Sequence, residues 1–220
     1  MEPLGHVIVA TMAFVGTHLL MSHPLRAPLV AQLGERGFML AYSLVSFATL
    51  GWMVWVLKRV GPEPFLWTAP AWLWAAGAVV MLLASILLVG SLIGNPALPG
   101  MPASAPVPRG VFAITRHPMM WGFALWALVH AAVWPQPSVL VLTGGIALLA
   151  LVGAAGQDAK KKRLQPEFWP EWMRRTSFVP FARGAAWPGW GVTMAGVALW
   201  LVAMWAHPRL GAPVVSPLPF

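Results

Sequence analysis

The sequence contains no cysteine, and only six of its 220 residues are acidic. Without a thiol there can be no disulfide, no thiolate metal centre and no cysteine nucleophile. Charged residues make up 9% of the chain, against about 25% in a soluble domain. That is too little charge to cover a water-soluble body of this size. The most hydrophobic segments hold no Asp or Glu, which argues against a carboxylate proton relay of the kind pumps use. A phosphate-binding glycine loop, a dinucleotide fingerprint and a His-Glu-x-x-His metal motif are also missing from the sequence.

What remains is mostly apolar: 59% of residues are hydrophobic, with fourteen tryptophans and twenty-one glycines. Trp favours membrane interfaces and Gly favours close helix contacts. The composition predicts an all-α, polytopic membrane helix bundle. Six spans are expected: Leu4 to Met21, Phe38 to Leu57, Ala71 to Ile93, Met119 to Trp134, Val139 to Gly156 and Trp190 to Trp205. Glu2, with no basic residue before the first apolar run, makes that run a spanning helix rather than a cleaved signal. Pro135-Gln136-Pro137 predicts a tight turn between the fourth and fifth spans. Small residues from Gly144 to Gly156 suit the fifth span to close packing.

The net charge of +8 does not indicate nucleic acid, because the basic residues fall in short connections. With the N-terminus outside, one side receives Arg26, Arg36, Arg109, Arg116, Lys160, Lys161, Lys162, Arg163, Arg174, Arg175 and Arg183. The other receives Lys58, Arg59 and Arg209. The positive-inside rule then places both termini outside, in a multi-pass protein of a bacterial inner membrane. Two inside loops are long. Residues 95–109 carry five prolines and read as an extended linker. Asp158 to Arg183 holds Phe168, Trp169, Trp172 and Met173 together with a Glu171–Arg175 pair at i,i+4. It predicts a short cytoplasmic interfacial helix, broken or kinked near Pro166 or Pro170.

Three histidines are the candidate site residues. His117 stands in Arg116-His117-Pro118, at a helix start. His18 and His130 lie inside the first and fourth spans. A histidine within a span needs a polar partner or a ligand. His117 and His130 are about 19.5 Å apart along one helix, so they do not share a metal. His18 with His130 is the natural pair between helices. They could ligate a haem iron or another late transition metal, or each could simply hydrogen-bond within the bundle. His6 and His207 lie near the outer edge and read as solvated.

Three stretches, THLLMSHPLRAPLVAQLGER, FAITRHPMMWGFALWALVH and RRTSFVPFAR, resemble the NnrU family of bacterial membrane proteins. The likeness covers residues 1–183, with 184–220 as an additional helix and proline-rich tail. The family is associated with nitrite and nitric oxide reduction, which implies a respiratory or denitrification membrane partner. It is similar to 15-cis-zeta-carotene isomerase, a haem b protein. That likeness implies His18 and His130 as the haem ligands and an apolar polyene as substrate. A more distant likeness to isoprenylcysteine and phospholipid methyltransferases implies S-adenosylmethionine near Arg116 and His117. Against that pattern, Met120 replaces a Tyr and Asp158 a Glu. A haem- or lipid-binding assembly factor is the non-enzymatic alternative.

Overall fold

The structure is a computed structural model that describes residues 2–97 and 107–211. Among the described residues eight helices follow in order: α1 (Pro3–Ser22), α2 (Arg26–Leu57), α3 (Ala71–Gly90), α4 (Val111–Ile114), α5 (Pro118–Val133), α6 (Pro137–Leu164), α7 (Trp169–Arg175) and α8 (Trp190–Arg209). Five of them are long and apolar enough to cross a membrane, and α5 is a shorter apolar helix. The all-α polytopic architecture follows the hydropathy pattern. Pro99, Pro102 and Pro106 of the proline-rich linker, and the C-terminal tail from 212 onward, lie outside the described residues.

Two boundaries differ instructively from the sequence expectation. The segment before the second span is helical from Arg26, and Gly34, at φ 70 and ψ 168, breaks α2 into two parts. Glycine takes that left-handed geometry without a Cβ clash. Arg26 and Glu35 pair across the break at 2.9 Å. The fifth span continues to Leu164, giving a helix of 28 residues. Such a helix is about 42 Å long, against ~30 Å of hydrocarbon. Its last two turns therefore project beyond the apolar slab, and they carry Gln157, Asp158 and Lys160 to Arg163.

The predicted interfacial helix is only seven residues long, and Pro170 sits in its first turn. A proline there needs no amide donor, so it starts the helix and does not kink it. Trp169 and Trp172 are not lipid anchors. They are 0% and 2% exposed and pack with Leu87, Val111, Phe112 and Ile114. A second core joins Val7, Ala10, Phe14 and Val15 to Met53 and Val56.

The spanning helices form a row. α1 packs on α2 and α6, α5 on α6 and α3, and α3 on α8. The order across the layer is α2, α1, α6, α5, α3, α8. Glycines set the closest approaches. A Cβ on Gly145 of α6 would lie 2.3 Å from Thr11 Cγ2, and one on Gly156 would lie 2.4 Å from the His23 ring. The dense small residues of the fifth span thus bring α6 against α1, as expected. Gly153 differs, because nothing lies within 4 Å of its Cβ position. At the far edge, a Cβ on Gly196 of α8 would lie 2.8 Å from Ile86 Cα of α3. Backbone cannot swing aside as a side chain can, so Gly196→Leu pushes α8 off α3. Overpacking of this kind costs about 1–3 kcal/mol. The expected outcome is a lower thermal midpoint in detergent and faster proteolysis between α7 and α8, with Gly153→Ala as a control that retains the wild-type midpoint or exceeds it.

Candidate functional site

Helices α4 and α5 meet at an extended residue, Thr115 (φ −156, ψ 149), followed by His117 at the α5 cap and Pro118 as the first helical residue. The chain after α7 returns alongside this joint. Arg116 N–H donates to Ser177 O (2.9 Å), Phe181 N–H to Ile114 O (3.0 Å) and Thr115 Oγ1 to Phe178 O (2.7 Å). Trp121 Nε1 donates to the same Phe178 carbonyl at 2.8 Å. Two of the motifs singled out in the sequence, Arg-His-Pro and RRTSFVPFAR, are therefore two sides of one structure.

The Asp158 carboxylate lies at its centre. Arg116 Nε and Nη2 donate to Oδ2 at 2.9 and 2.7 Å. His117 Nε2 donates to Oδ1 at 2.9 Å and Trp169 Nε1 to the same oxygen at 3.1 Å. Arg116, His117 and Asp158 are 8%, 2% and 7% exposed. Charges buried to this extent must be paired, and this carboxylate draws donors from the α4–α5 joint, the α5 cap and α7. The other His117 nitrogen, Nδ1, lies 3.2 Å from Gln157 Oε1.

Gln157 also lines a cavity of about 600 Å³. Its walls come from α1 (Phe14, His18), α2 (Phe38, Tyr42), α5 (Met120, Phe123) and α6 (Ile146, Gly153). It lies at the basic end, the end that carries Arg26 and Lys160 to Arg163. His23, Arg26, Glu35 and Lys160 line it as well. Burial, followed by the nearby Lys160 and Arg163, holds the His23 imidazole below its ordinary pKa, so that ring is neutral at neutral pH. Arg26 is engaged by Glu35, whereas Lys160 has no ion pair among the described residues.

His18 is the cavity's distinctive group. Its Nδ1 donates to the Phe14 carbonyl at 2.8 Å. A carbonyl only accepts, so the ring proton is on Nδ1, and the Nε2 lone pair has no hydrogen-bond partner among the described residues. Phe14 and Tyr42 hold the ring at centroid distances of 4.2 and 5.4 Å, and Ser22 Oγ donates to the Tyr42 hydroxyl at 3.2 Å.

The structure does not bring His18 and His130 together. His18 is one turn from the basic end of α1, and His130 is one turn from the opposite end of α5. Helix α6 stands between the two helices. The His130 ring stacks on Trp126 at 4.3 Å and faces His207 of α8 at 6.1 Å. Arg116 and His117 are buried beside the cavity and do not line it. Sequence reasoning missed Tyr42, Gln157 and Lys160 as cavity residues. The lone tyrosine of the chain, inside an apolar span, was the available signal.

Among the described residues, six apolar helices, eleven of the fourteen basic residues at one end and a cavity at that end define a polytopic helical membrane protein. The model of the family described as NnrU protein matches residues 6–214, and the chain belongs to that family. The match runs through α8. No curated protein and no solved structure shows significant similarity.

Asp158→Asn removes the charge that balances Arg116. Breaking a buried pair on one side costs about 3–5 kcal/mol. The expected result is a large fall in the detergent thermal midpoint and protease cleavage near α7. An unchanged midpoint would refute the hub role of this carboxylate.

Proposed function

We propose that this protein is a multi-pass protein of a bacterial inner membrane, with the basic end in the cytoplasm, that binds haem b in the basic-end cavity through His18. The observation that carries this reading is the His18 imidazole, with Nδ1 fixed by the Phe14 carbonyl and Nε2 free on the wall of an apolar cavity. Metal-ligating histidines are commonly oriented by such a bond on the other nitrogen. A volume of about 600 Å³ lies within the range of about 300–1,000 Å³ for small-molecule sites. Lys160 at the mouth suits a ligand whose apolar body ends in carboxylates, as haem b does. The placement of basic residues supports the orientation.

His18 would ligate the iron, Phe14 and Tyr42 would hold the ring, and Lys160 would meet a propionate. When bound, the haem supplies a redox-active Lewis-acidic iron, and the chain's share is ligation, orientation and exclusion of water. Helices α2 and α5 flank the cavity without packing closely on each other, so an apolar polyene from the bilayer has a lateral way in. That opening favours a polyene isomerase as the activity, over the role in nitrite or nitric oxide metabolism that the family resemblance also implies. S-adenosylmethionine fits less well. The ring nitrogens of His117 and the Nε and Nη2 groups of Arg116 are already committed to Asp158 and Gln157.

The test is an optical spectrum of the detergent-purified protein with and without dithionite. A Soret band is expected in the wild type. His18→Ala should weaken haem affinity at least ~10-fold, or ~1.4 kcal/mol. Gly153→Phe, which fills the cavity from a position with open space around it, should abolish binding without unfolding. His130→Ala should keep the band. A Soret band unaffected by His18→Ala overturns the proposal, and one lost only in His130→Ala returns the ligation to the fourth span.

A further inference from the structure

The site at the opposite end of the bundle is independent of the cavity. It consists of His130 on α5 and His207 on α8, with ring centroids 6.1 Å apart and planes inclined by 32°. Each ring is prepared in the same way. His130 Nδ1 donates to the Trp126 carbonyl at 2.8 Å, and His207 Nδ1 donates to the Ala203 carbonyl at 2.6 Å. Both acceptors are carbonyl oxygens, so both ring protons sit on Nδ1 and both Nε2 atoms carry free lone pairs. Two such acceptors cannot hydrogen-bond to each other. Neither has another hydrogen-bond partner among the described residues, and neither is a fully buried, unsatisfied atom. Trp126 stacks on His130 at 4.3 Å and restrains that ring.

We propose that His130 and His207 form a two-imidazole site for a late first-row divalent metal ion, copper or zinc, that bridges α5 to α8. The distance is suitable. Imidazole nitrogen binds these ions at about 2.0–2.1 Å, which places the metal about 3.2 Å from the ring centroid. Two rings sharing one ion have centroids up to about 6.4 Å apart when the nitrogens lie opposite each other, and 6.1 Å is close to that arrangement, which a square-planar copper(II) accepts more readily than a tetrahedral zinc. Neutral imidazole suits copper, zinc and nickel and does not suit magnesium or calcium. Both histidines lie within one turn of their helix ends, so the site is close to that end of the bundle. Two protein ligands leave the remaining coordination positions to water. The bridge also has a structural consequence. Among the spanning helices α8 packs extensively only on α3, and a shared ion ties it to a second helix.

Detergent-purified full chain, carrying no polyhistidine tag, is titrated with Cu(II) and with Zn(II) by calorimetry, with Mg(II) as control. Expected are one copper per chain with nitrogen superhyperfine structure in its electron paramagnetic resonance spectrum, weaker zinc binding and no magnesium binding. His130→Ala and His207→Ala should each lower copper affinity at least ~10-fold. They should also remove the metal-induced rise in thermal midpoint that wild type shows. His6→Ala and His18→Ala should retain both responses, which separates this site from the haem site. No stoichiometric copper binding in wild type, or binding that survives either His130→Ala or His207→Ala, overturns the proposal.

Discussion

The Asp158 carboxylate is the interaction on which the basic end depends. One buried anion takes donors from Arg116, His117 and Trp169. Those donors belong to the α4–α5 joint, the α5 cap and α7. Each element is weak alone. Helix α4 is one turn long, α7 is under two turns, and the extended residues after α7 have only a few backbone bonds to the α4–α5 joint. A carboxylate buried this way must be fully satisfied, or its desolvation outweighs the attraction. Satisfying it fixes three segments at once. The Arg-His-Pro motif is therefore a structural clasp here, and its chemical consequence runs through Gln157, which touches His117 on one side and the cavity on the other.

The cavity follows from the helix row. In a closed bundle the space before α1 and α6 would be filled by a further helix. Here α2 and α5 stand on either side of it and leave it open. Glycine makes the room in two ways. Gly145 and Gly156 draw α1 against α6, and Gly153 presents no side chain at the wall between them. The same helix thus uses one residue type for contact and for vacancy, and only the neighbours distinguish the two.

Much of this was legible in the sequence. Hydropathy gave six apolar helices, and the positions of the basic residues gave the two ends of the bundle. Most of the places where the reading fell short share a cause: they depend on which elements are neighbours. His18 and His130 looked like a pair because both are histidines within spans. The antiparallel run of α1 and α5 puts them toward opposite ends, with α6 between. His207 looked solvated because it is near a helix end, yet α8 runs parallel to α5 and brings the two rings together. The end of α6 was missed because hydropathy falls at Gly156, whereas the helix is carried on to Leu164 through residues that project beyond the apolar slab. Trp169 and Trp172 were assigned to the interface by their type, and a folded-over α7 buries them instead.

The three histidines of the two proposed sites use one local device. His18, His130 and His207 each bond Nδ1 to the carbonyl four residues earlier on the same helix. Within a span this satisfies the buried N–H without any partner from another helix. It also leaves the opposite nitrogen bare, which is the state a metal requires. A helix thus solves the solvation problem of an intramembrane histidine and creates a ligand in the same step. What separates a binding group from a merely tolerated one is the surroundings of Nε2: a cavity for His18, and a second bare imidazole for His130 and His207. His117 lacks this device. Its nitrogens face a carboxylate and an amide, so the same residue type serves packing and charge balance there and leaves no free lone pair for a ligand.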